Sequence, residues 1–374
     1  MLKVLNLKNF KCFEKQEFGL GNLTLLTGLN GMGKSTVMQS LLSLRQSYEQ
    51  NLLPKTGLSL NGDWVNLGKA SDLLFEDAQE DIIGISLELS DSRKAEFKFD
   101  YIGESDVIKL NPSSQIDNTF FSDESLFNDD FQYLGAERVG PRVAYSVSDF
   151  SVRQHRRLGT QGQFTAYYIS IFGEQEANSS LFHPLAPSNS LKNQIEAWIS
   201  EVTPGTQIHT THQPGIDLVS LQYSFARGAS GVTKPFRSTN VGFGITYTLP
   251  VITALLTAKP GDLLLIENPE AHLHPRGQRK IGELISLVAN LGVQVIVESH
   301  SDHVLNGIRI ATHENKIKPD LVKIHFFSID YSNPTKKTQV VTPNLDADGR
   351  IDRWPDGFFD EWDKTLDQLL TPKK

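Results

Sequence analysis

The sequence predicts an α/β protein whose core is a parallel or mixed β-sheet, and three stretches carry that prediction. Residues 23–27 form a mainly apolar run that precedes a glycine-rich loop, and apolar residues at helical spacing follow the loop. Residues 263–266 and 293–297 are two further mainly apolar runs, and a carboxylate follows each of them. Short apolar runs of this kind are typical of strands buried on both faces, as in sheets covered by helices.

The composition is that of an ordinary globular protein, and it limits the possible classes of function. The chain has 374 residues, of which 39% are hydrophobic and 21% charged, which is enough for two or three lobes. Because no run of about 18 apolar residues occurs, no membrane span is expected. The N-terminus lacks the long apolar centre of a signal peptide, so none is expected. Cys12 is the only cysteine, so we expect a reducing, cytoplasmic location. The formal net charge of −8 argues against a generic nucleic-acid binder, which is usually basic.

The first 110 residues predict a sheet-rich lobe around the glycine-rich loop. Residues 2–13 alternate apolar and polar side chains, which predicts an edge strand that turns back into the strand at 23–27. Residues 58–110 contain short β-like runs separated by turn residues, and these predict an antiparallel sheet.

The glycine-rich loop, residues 28–36, fits the pattern G-x-x-x-x-G-K-[ST] of a phosphate-binding P-loop. Glycines let main-chain N–H groups curl around phosphate oxygens, and the start of the next helix adds its positive dipole end. Lys34 is expected to reach the β- and γ-phosphates, and Ser35 to bind Mg²⁺. A chance glycine-rich turn is the alternative, and the flanking strand and helix argue against it.

A helical insertion is predicted in the middle of the chain, over residues 136–239. It begins with a basic segment. From residue 134 to 160 five arginines stand against only two acidic residues. Two interpretations stay open, a solvated face with ion pairs or a patch that contacts phosphate or nucleic acid. Helices are predicted at 161–173 and 189–202. The five arginines are Arg138, Arg142, Arg153, Arg156 and Arg157.

A second glycine-containing segment precedes an apolar helix predicted at 245–258. Asn240, Gly242 and Gly244 stand at its start, and Pro250 is expected to kink the helix. Such glycines form either another anion cradle or only a tight turn, and spacing alone leaves both open.

Glu267 follows the apolar run 263–266, so it should lie at the carboxyl edge of the sheet, where ligands bind in open α/β folds. An acid there suits the Walker B position, which holds the Mg²⁺ shell. A helix is predicted from about 277 to 290, and a second buried strand over 293–297. A zinc site built from histidines near the two strand ends is a less favoured alternative. These histidines are His272, His274, His300 and His303.

With these motifs in this order, the chain resembles the ABC-type ATPase heads of the SMC, RecF and overcoming-lysogenisation-defect (OLD) class. It is most similar to compact bacterial ATPases that carry Glu-Asn-Pro-Glu-Ala-His-Leu-His-Pro, here residues 267–275, and Ser-His-Ser-Asp-His, here residues 299–303. These ATPases end in a small domain of unknown function, which residues 354–360 match with Trp-Pro and Gly-Phe-Phe-Asp. The resemblance implies a P-loop NTPase with a mixed or parallel sheet core, an antiparallel β-subdomain and a helical insertion. The implied division is a first lobe at 1–135, the insertion at 136–239, a second lobe at 240–330 and a C-terminal domain at 331–374.

The resemblance also implies roles for individual residues. It assigns the bound nucleotide to Asn30, Gly31, Gly33, Lys34, Ser35 and Thr36. Asn240, Gly242 and Gly244 stand where the ABC signature loop contacts the γ-phosphate bound by the opposite subunit. Residues 272–274 occupy the D-loop, His300 matches the switch histidine that senses the γ-phosphate, and Mg²⁺ is assigned to Ser35 and Glu267.

Two departures from the family pattern affect the expected chemistry. Asn268 stands where the family has a glutamate that polarises water, and an amide orients water but cannot accept its proton. Either turnover is slow, or Glu267, Glu270 or Glu298 takes the role of base. No Q-loop glutamine is evident, and the residues nearest to its expected place are Gln132, Glu137 and Arg138.

Taken with the motifs, the resemblance implies a protein that binds and hydrolyses ATP with Mg²⁺. It implies a homodimer around the nucleotide, or a higher homo-oligomer, that controls a separately encoded nuclease or toxin in antiviral defence. A RecF-like DNA-binding ATPase of repair or recombination is the alternative, with the arginine-rich segment as its nucleic-acid contact. A nucleotide-gated scaffold with little hydrolysis is a third interpretation, suggested by Asn268. The expected location is cytoplasmic, without membrane association.

Overall fold

The computed structural model of the chain describes residues 1–117, 119–122, 124–228, 231–329 and 338–371, without the side chain of residue 363. Residues 331–337, which open the predicted C-terminal domain, therefore lie outside the described residues. By packing, the chain forms two units. The first comprises Met1–Asn128, Val322–Asp346 and Arg350–Lys374, and the second comprises Asp129–Leu321 and Ala347–Gly349. The four-part division made from the sequence stays a prediction, since packing units are not domains shown to fold alone.

Strands and helices follow one another along the whole chain, as an α/β protein requires. Up to residue 202 they are β1 (Leu2–Phe10), β2 (Phe13–Gly19), β3 (Leu23–Gly28), α1 (Lys34–Glu49), β4 (Gly57–Ser59), β5 (Ile82–Leu89), β6 (Lys94–Asp100), β7 (Val107–Lys109), α2 (Thr119–Ser122), β8 (Phe131–Leu134), β9 (Tyr145–Ser146), α3 (Thr165–Phe172) and α4 (Leu191–Val202). After residue 202 they are β10 (Thr206–Gln213), β11 (Leu218–Phe225), β12 (Phe236–Arg237), α5 (Phe243–Thr257), β13 (Leu263–Glu267), α6 (Pro275–Asn290), β14 (Gln294–Glu298), α7 (Asp302–His313), β15 (Val322–Ile329), β16 (Thr338–Val341) and α8 (Glu361–Leu370).

The first unit contains the predicted antiparallel sheet, in the order β2-β1-β5-β6. The prediction that the N-terminal strand is an edge strand is wrong, because β1 pairs with β2 on one side and with β5 on the other. Alternation of apolar and polar side chains shows which face of a strand is buried, but not whether its edges are paired. In the same unit β15 runs parallel to β3 and antiparallel to β16.

An aromatic cluster packs beneath this part of the first unit. Phe18 stacks on Phe327, with 5.8 Å between the ring centroids, and meets the ring of His325 edge-on at 5.4 Å. Phe358, which is fully buried, packs on Phe326 of β15 at 5.1 Å and so fastens the C-terminal segment to the strand beside β3.

The second unit places β13 between two parallel neighbours, β14 and β8. All three strands point their carboxyl ends the same way, which confirms the parallel core predicted from the two apolar runs. The long helices α6 and α7 approach each other closely where Gly282 faces Gly307. A Cβ atom on Gly307 would lie 2.2 Å from the carbonyl oxygen of Arg279, so only glycine fits at this crossing.

The insertion is helical only in part, which corrects the prediction for 136–239. Helices α3 and α4 lie close to the predicted positions, but β9, β10, β11 and β12 form an antiparallel sheet within the same segment. The strand β10 has many polar side chains, including His209, Thr210, Thr211 and His212, and only its first half alternates clearly between buried and intermediate positions. Its apolar periodicity is therefore too weak to reveal a strand.

Across the described residues, none of the helices is both long and apolar enough to span a bilayer.

Candidate nucleotide and metal site

The P-loop of the first unit has a backbone that glycine makes possible. Gly28, Gly31 and Gly33 all have positive φ angles, of 135°, 77° and 93°. A Cβ atom on Gly28 would lie 2.1 Å from the carbonyl oxygen of Phe327, and one on Gly33 would lie 2.5 Å from Sγ of Cys12. These two positions combine a left-handed backbone with no room for a side chain, which explains both end glycines of the motif.

Lys34 is the first residue of α1, and its side chain is buried inside the loop. Its Nζ donates to the carbonyl oxygens of Gly28 at 3.0 Å and Leu29 at 2.7 Å, so the loop wraps around the ammonium group. Helix α1 has no side-chain cap at its N-terminus and no acidic residue in its first turn, so no carboxylate there competes with a phosphate group. Asn30 and Gly31 are exposed, Ser35 is half-buried and Thr36 is buried.

The strand β15 contacts the P-loop, although no sequence motif connects the two. The main-chain N–H of Leu29 donates to the carbonyl oxygen of Phe327 at 3.3 Å. This contact joins residues almost 300 positions apart, so no local sequence signal could have revealed it.

In the second unit Glu267 ends β13, and donors bind both of its carboxylate oxygens. The hydroxyl of Tyr133 donates to Oε1 at 3.0 Å, and the main-chain N–H of Ala136 donates to Oε2 at 3.1 Å. Burial, together with the nearby Glu267 carboxylate, raises the pKa of Tyr133, so the phenol keeps the proton that it donates. The carboxylate is therefore held in one orientation while its remaining lone pairs stay available for a cation.

Asn268 begins a tight turn after β13, with φ of 44° in the left-handed region. Its main-chain N–H donates to the carbonyl oxygen of Glu298, at 2.8 Å. Glu298 ends β14 and lies directly opposite Glu267 in the parallel register, so carboxylates end two neighbouring strands. Asparagine tolerates this backbone conformation better than most residues.

Glu270 lies in the same turn and is connected to the predicted switch histidine. Its side chain is 8% exposed, and its Oε1 accepts the main-chain N–H of His300 at 2.9 Å. Burial raises the pKa of the Glu270 carboxyl. Its Oε2 has no hydrogen-bond partner among the described residues. The imidazole of His300 itself is exposed.

The predicted signature and D-loop residues come together around one cavity of the second unit, of about 490 Å³. Gly242 caps the start of α5, is exposed, and has open space around its Cα. A Cβ atom on Gly244 would lie 2.7 Å from the carbonyl oxygen of His272, so this glycine allows the two loops to touch. The ring of His272 packs against Tyr247, with 4.6 Å between the centroids. The lining includes Asn240, Gly242, Gly244, His272, Leu273 and His274.

The arginine-rich segment is not a surface feature throughout, because one of its five arginines is buried. Arg138 is buried and donates to carbonyl oxygens of the turn after β13. Arg153 pairs with Asp149, Arg157 pairs with Asp129, and Arg156 stacks over the ring of Phe172, while Arg142 is exposed. Charged side chains are usually solvent-facing, which is why both interpretations of the sequence placed all five arginines at the surface.

The described residues provide neither a zinc site nor a clear Q-loop glutamine. Within the described ranges, no group of three or more His, Cys, Asp or Glu side chains lies close enough to hold a metal. Gln132 is engaged locally, since its Oε1 accepts the N–H of Leu158 at 3.0 Å and its Nε2 donates to the carbonyl oxygen of Tyr133. Glu137 is exposed.

The fold and the glycine-rich loop define a class, the P-loop NTPase fold. A crystal structure of the SmcHead bound to the C-winged helix domain of ScpA is 13% identical, covers 92% of this chain and 98% of its own, and has a TM-score of 0.56. The Smc head domain with an extended coiled coil, bound to the C-terminal domain of ScpA from Pyrococcus furiosus, is 14% identical, covers 99% of each chain and has a TM-score of 0.52. At these identities the likeness shows the fold alone.

Residues 23–306 match the family described as "AAA domain, putative AbiEii toxin, Type IV TA system". The chain therefore belongs to this AAA family. Residues 317–369 match a second family, described as a protein of unknown function, DUF3696. No curated protein matches the chain. The predicted AAA-type ATPase head with a C-terminal domain of unknown function is confirmed.

Proposed function

We propose that the chain binds and hydrolyses ATP with Mg²⁺, and that the geometry of the P-loop is the observation that carries this function. The loop combines positive-φ glycines with a buried lysine at the start of an uncapped helix. This combination suits the phosphate groups of a nucleoside triphosphate: N–H groups and one fixed ammonium meet several negative oxygens.

In the proposed site Ser35 and Glu267 hold Mg²⁺, which would neutralise charge on the phosphate oxygens when bound. The two donors on Glu267 support this role, because they fix the orientation of its side chain. Asn268 would orient the attacking water, and Glu270, buried and with a raised pKa, is a candidate to accept its proton.

The substitution Lys34→Ala tests nucleotide binding. It removes a charge-assisted contact of about 1.5–3 kcal/mol, so ATP should bind roughly 10–100-fold more weakly, and phosphate release should fall. Lys15→Ala is the control, because Lys15 is exposed on β2 of the same unit. ATP hydrolysis by Lys34→Ala at the wild-type rate would contradict the proposal.

We also propose that ATP brings two copies together, head to tail, around two nucleotides. Each chain carries one P-loop and one signature-type loop, and a two-fold axis would supply each nucleotide with both. Support comes from Gly242, which is exposed and has nothing within 4 Å of a Cβ atom built on it. A phosphate group of a second copy could therefore approach its main chain.

Light scattering with ATP and Mg²⁺ tests this dimer. Gly242→Asp should block closure by its bulk and its charge, whereas Gly215→Asp, at another exposed glycine with open space, should not. A wild-type protein that stays monomeric at saturating ATP would refute the dimer and leave nucleotide binding intact.

Finally, we propose that the ATPase controls a separately encoded nuclease or toxin in antiviral defence. The description of the matched family, with its AbiEii toxin and type IV toxin–antitoxin system, supports this context. Phage infection of cells that carry the gene with its neighbours tests it, and Lys34→Ala should abolish protection. If cells with Lys34→Ala were protected as well as cells with the wild type, defence would not depend on ATP binding by this chain. The burial of Arg138 removes one of the five arginines that a DNA-repair role would use as its nucleic-acid contact.

A further inference from the structure

Arg138 binds the main chain of the turn proposed to carry the chemistry. Its side chain is 3% exposed. Nη1 donates to the carbonyl oxygen of Asn268 at 3.1 Å, and Nη2 donates to the same oxygen at 3.0 Å and to the carbonyl oxygen of Glu267. One acceptor is therefore the carbonyl of Glu267, the proposed metal ligand, and the other is that of Asn268, the residue proposed to orient the water. Within the described chain Arg138 forms no salt bridge, and its Nε has no hydrogen-bond partner.

Stability alone is a poor explanation for an arginine in this position. The guanidinium is almost fully buried, and taking a cation out of water is costly. Buried ionic groups can often be replaced by apolar side chains of similar size without loss of stability. A guanidinium, however, has a rigid planar set of donors that can hold two successive carbonyl groups at once.

Two further donors near Arg138 in the sequence also bind the carboxyl end of β13. Tyr133 and Ala136 hold the two carboxylate oxygens of Glu267, and Arg138 holds its carbonyl oxygen. All three donors come from β8 and the loop that follows it. One segment of six residues therefore fixes both the side chain and the main chain at the end of β13.

We propose that Arg138 is a positioning residue of the ATPase site, which aims the Glu267 carboxylate and the Asn268 amide through their main-chain carbonyl groups. This inference rests on the proposed function. Arg138 touches no nucleotide in this proposal, and it acts only by fixing the residues that do the chemistry. Supporting groups of this kind commonly change activity or metal affinity by about 10–100-fold.

The test compares Arg138→Met and Arg138→Lys with Arg45→Met. Arg45 is a matched control, because it is 1% exposed and donates to the carbonyl oxygens of Leu126 and Asn128, with Nη1. It lies on α1 in the first unit and also pairs with Glu49 at 2.6 Å. Activity is expressed per nucleotide-binding site, so that misfolded protein does not count. The second measurement is the Mg²⁺ concentration that gives half-maximal binding of a fluorescent ATP analogue.

We expect Arg138→Met to lower kcat by about 10–100-fold and to raise the Mg²⁺ requirement by about tenfold. KM for ATP should change far less, because the P-loop contacts are untouched. Arg138→Lys should recover only part of both, since a point charge cannot hold two carbonyl groups as a fork does. Arg45→Met should lose stability but keep wild-type kcat and Mg²⁺ requirement per site.

Equal kcat per site and equal Mg²⁺ requirement in Arg138→Met and Arg45→Met would overturn the proposal. If the wild type binds ATP without hydrolysing it, hydrolysis as a function fails, and the Mg²⁺ measurement still decides the role of Arg138. If Arg138→Met does not fold, Arg138→Lys decides: wild-type values of both quantities would show that the fork is not needed.

Discussion

If the Asn268 amide limits the chemical step, replacing Asn268 by glutamate should speed ATP hydrolysis, against a cost that the structure sets. If Glu270 already accepts the proton, as proposed above, the substitution should bring no gain. A proton-accepting side chain contributes roughly 10²–10⁴-fold to a rate, which is about 3–5 kcal/mol of activation free energy. Against this, residue 268 has φ of 44°, where a residue other than glycine or asparagine costs about 1–2 kcal/mol. The new carboxylate also joins Glu267, Glu270 and Glu298, with Arg138 as the nearby cation. Even if the whole backbone cost of about 1–2 kcal/mol raised the activation free energy, the hydrolysis rate would still rise severalfold.

The assay is steady-state phosphate release at saturating ATP, and Asn268→Gln is the matched control. Glutamine has the length of glutamate and the same backbone cost, but it cannot accept a proton, so the ratio of the two rates isolates the base. A rate for Asn268→Glu no higher than for Asn268→Gln would refute the reasoning. Glu270→Gln should then be almost inactive if Glu270 already accepts the proton. Glu267→Gln should impair turnover by weakening the hold on Mg²⁺, and a wild-type rate would place the metal elsewhere.

Three further predictions concern stability and loop contact. Burial lowers the pKa of His325, so on acidification the unfolded state binds a proton at a higher pH than the folded state does. The free energy of unfolding should therefore fall as the pH drops below about 6.5. His325→Gln should reduce this pH dependence, measured by urea titrations at several pH values. Phe358→Ala should cost about 3–5 kcal/mol of unfolding free energy, whereas truncating the exposed Trp362 should change it by less than about 0.5 kcal/mol, and equal losses would show that Phe358 is no anchor. Gly244→Ala should displace the carbonyl of His272 and weaken ATP-driven dimerisation in light scattering, while Gly242→Ala, with open space around it, should weaken it less.

The sequence predicted those parts of the fold that local patterns determine. The P-loop, the strand that ends at Glu267 and the helix behind it have strong signals, because a glycine pattern and buried apolar runs report them directly. Tyr133 as a partner of Glu267 has no such signal, since the contact joins two strands that lie 134 residues apart. Both interpretations of the arginine-rich segment place Arg138 at the surface, because nothing local distinguishes a buried arginine from an exposed one.

The C-terminal segment packs in the same unit as the P-loop and is not an appendage to it. The AAA family match ends at residue 306, yet β15, the parallel neighbour of the P-loop strand, begins at residue 322 within the match to the family of unknown function. Phe327 of that strand accepts the N–H of Leu29 and leaves no room for a Cβ atom on Gly28. A chain that stopped at the end of the AAA match would thus lose the neighbour on one side of the P-loop strand and the aromatic cluster under it.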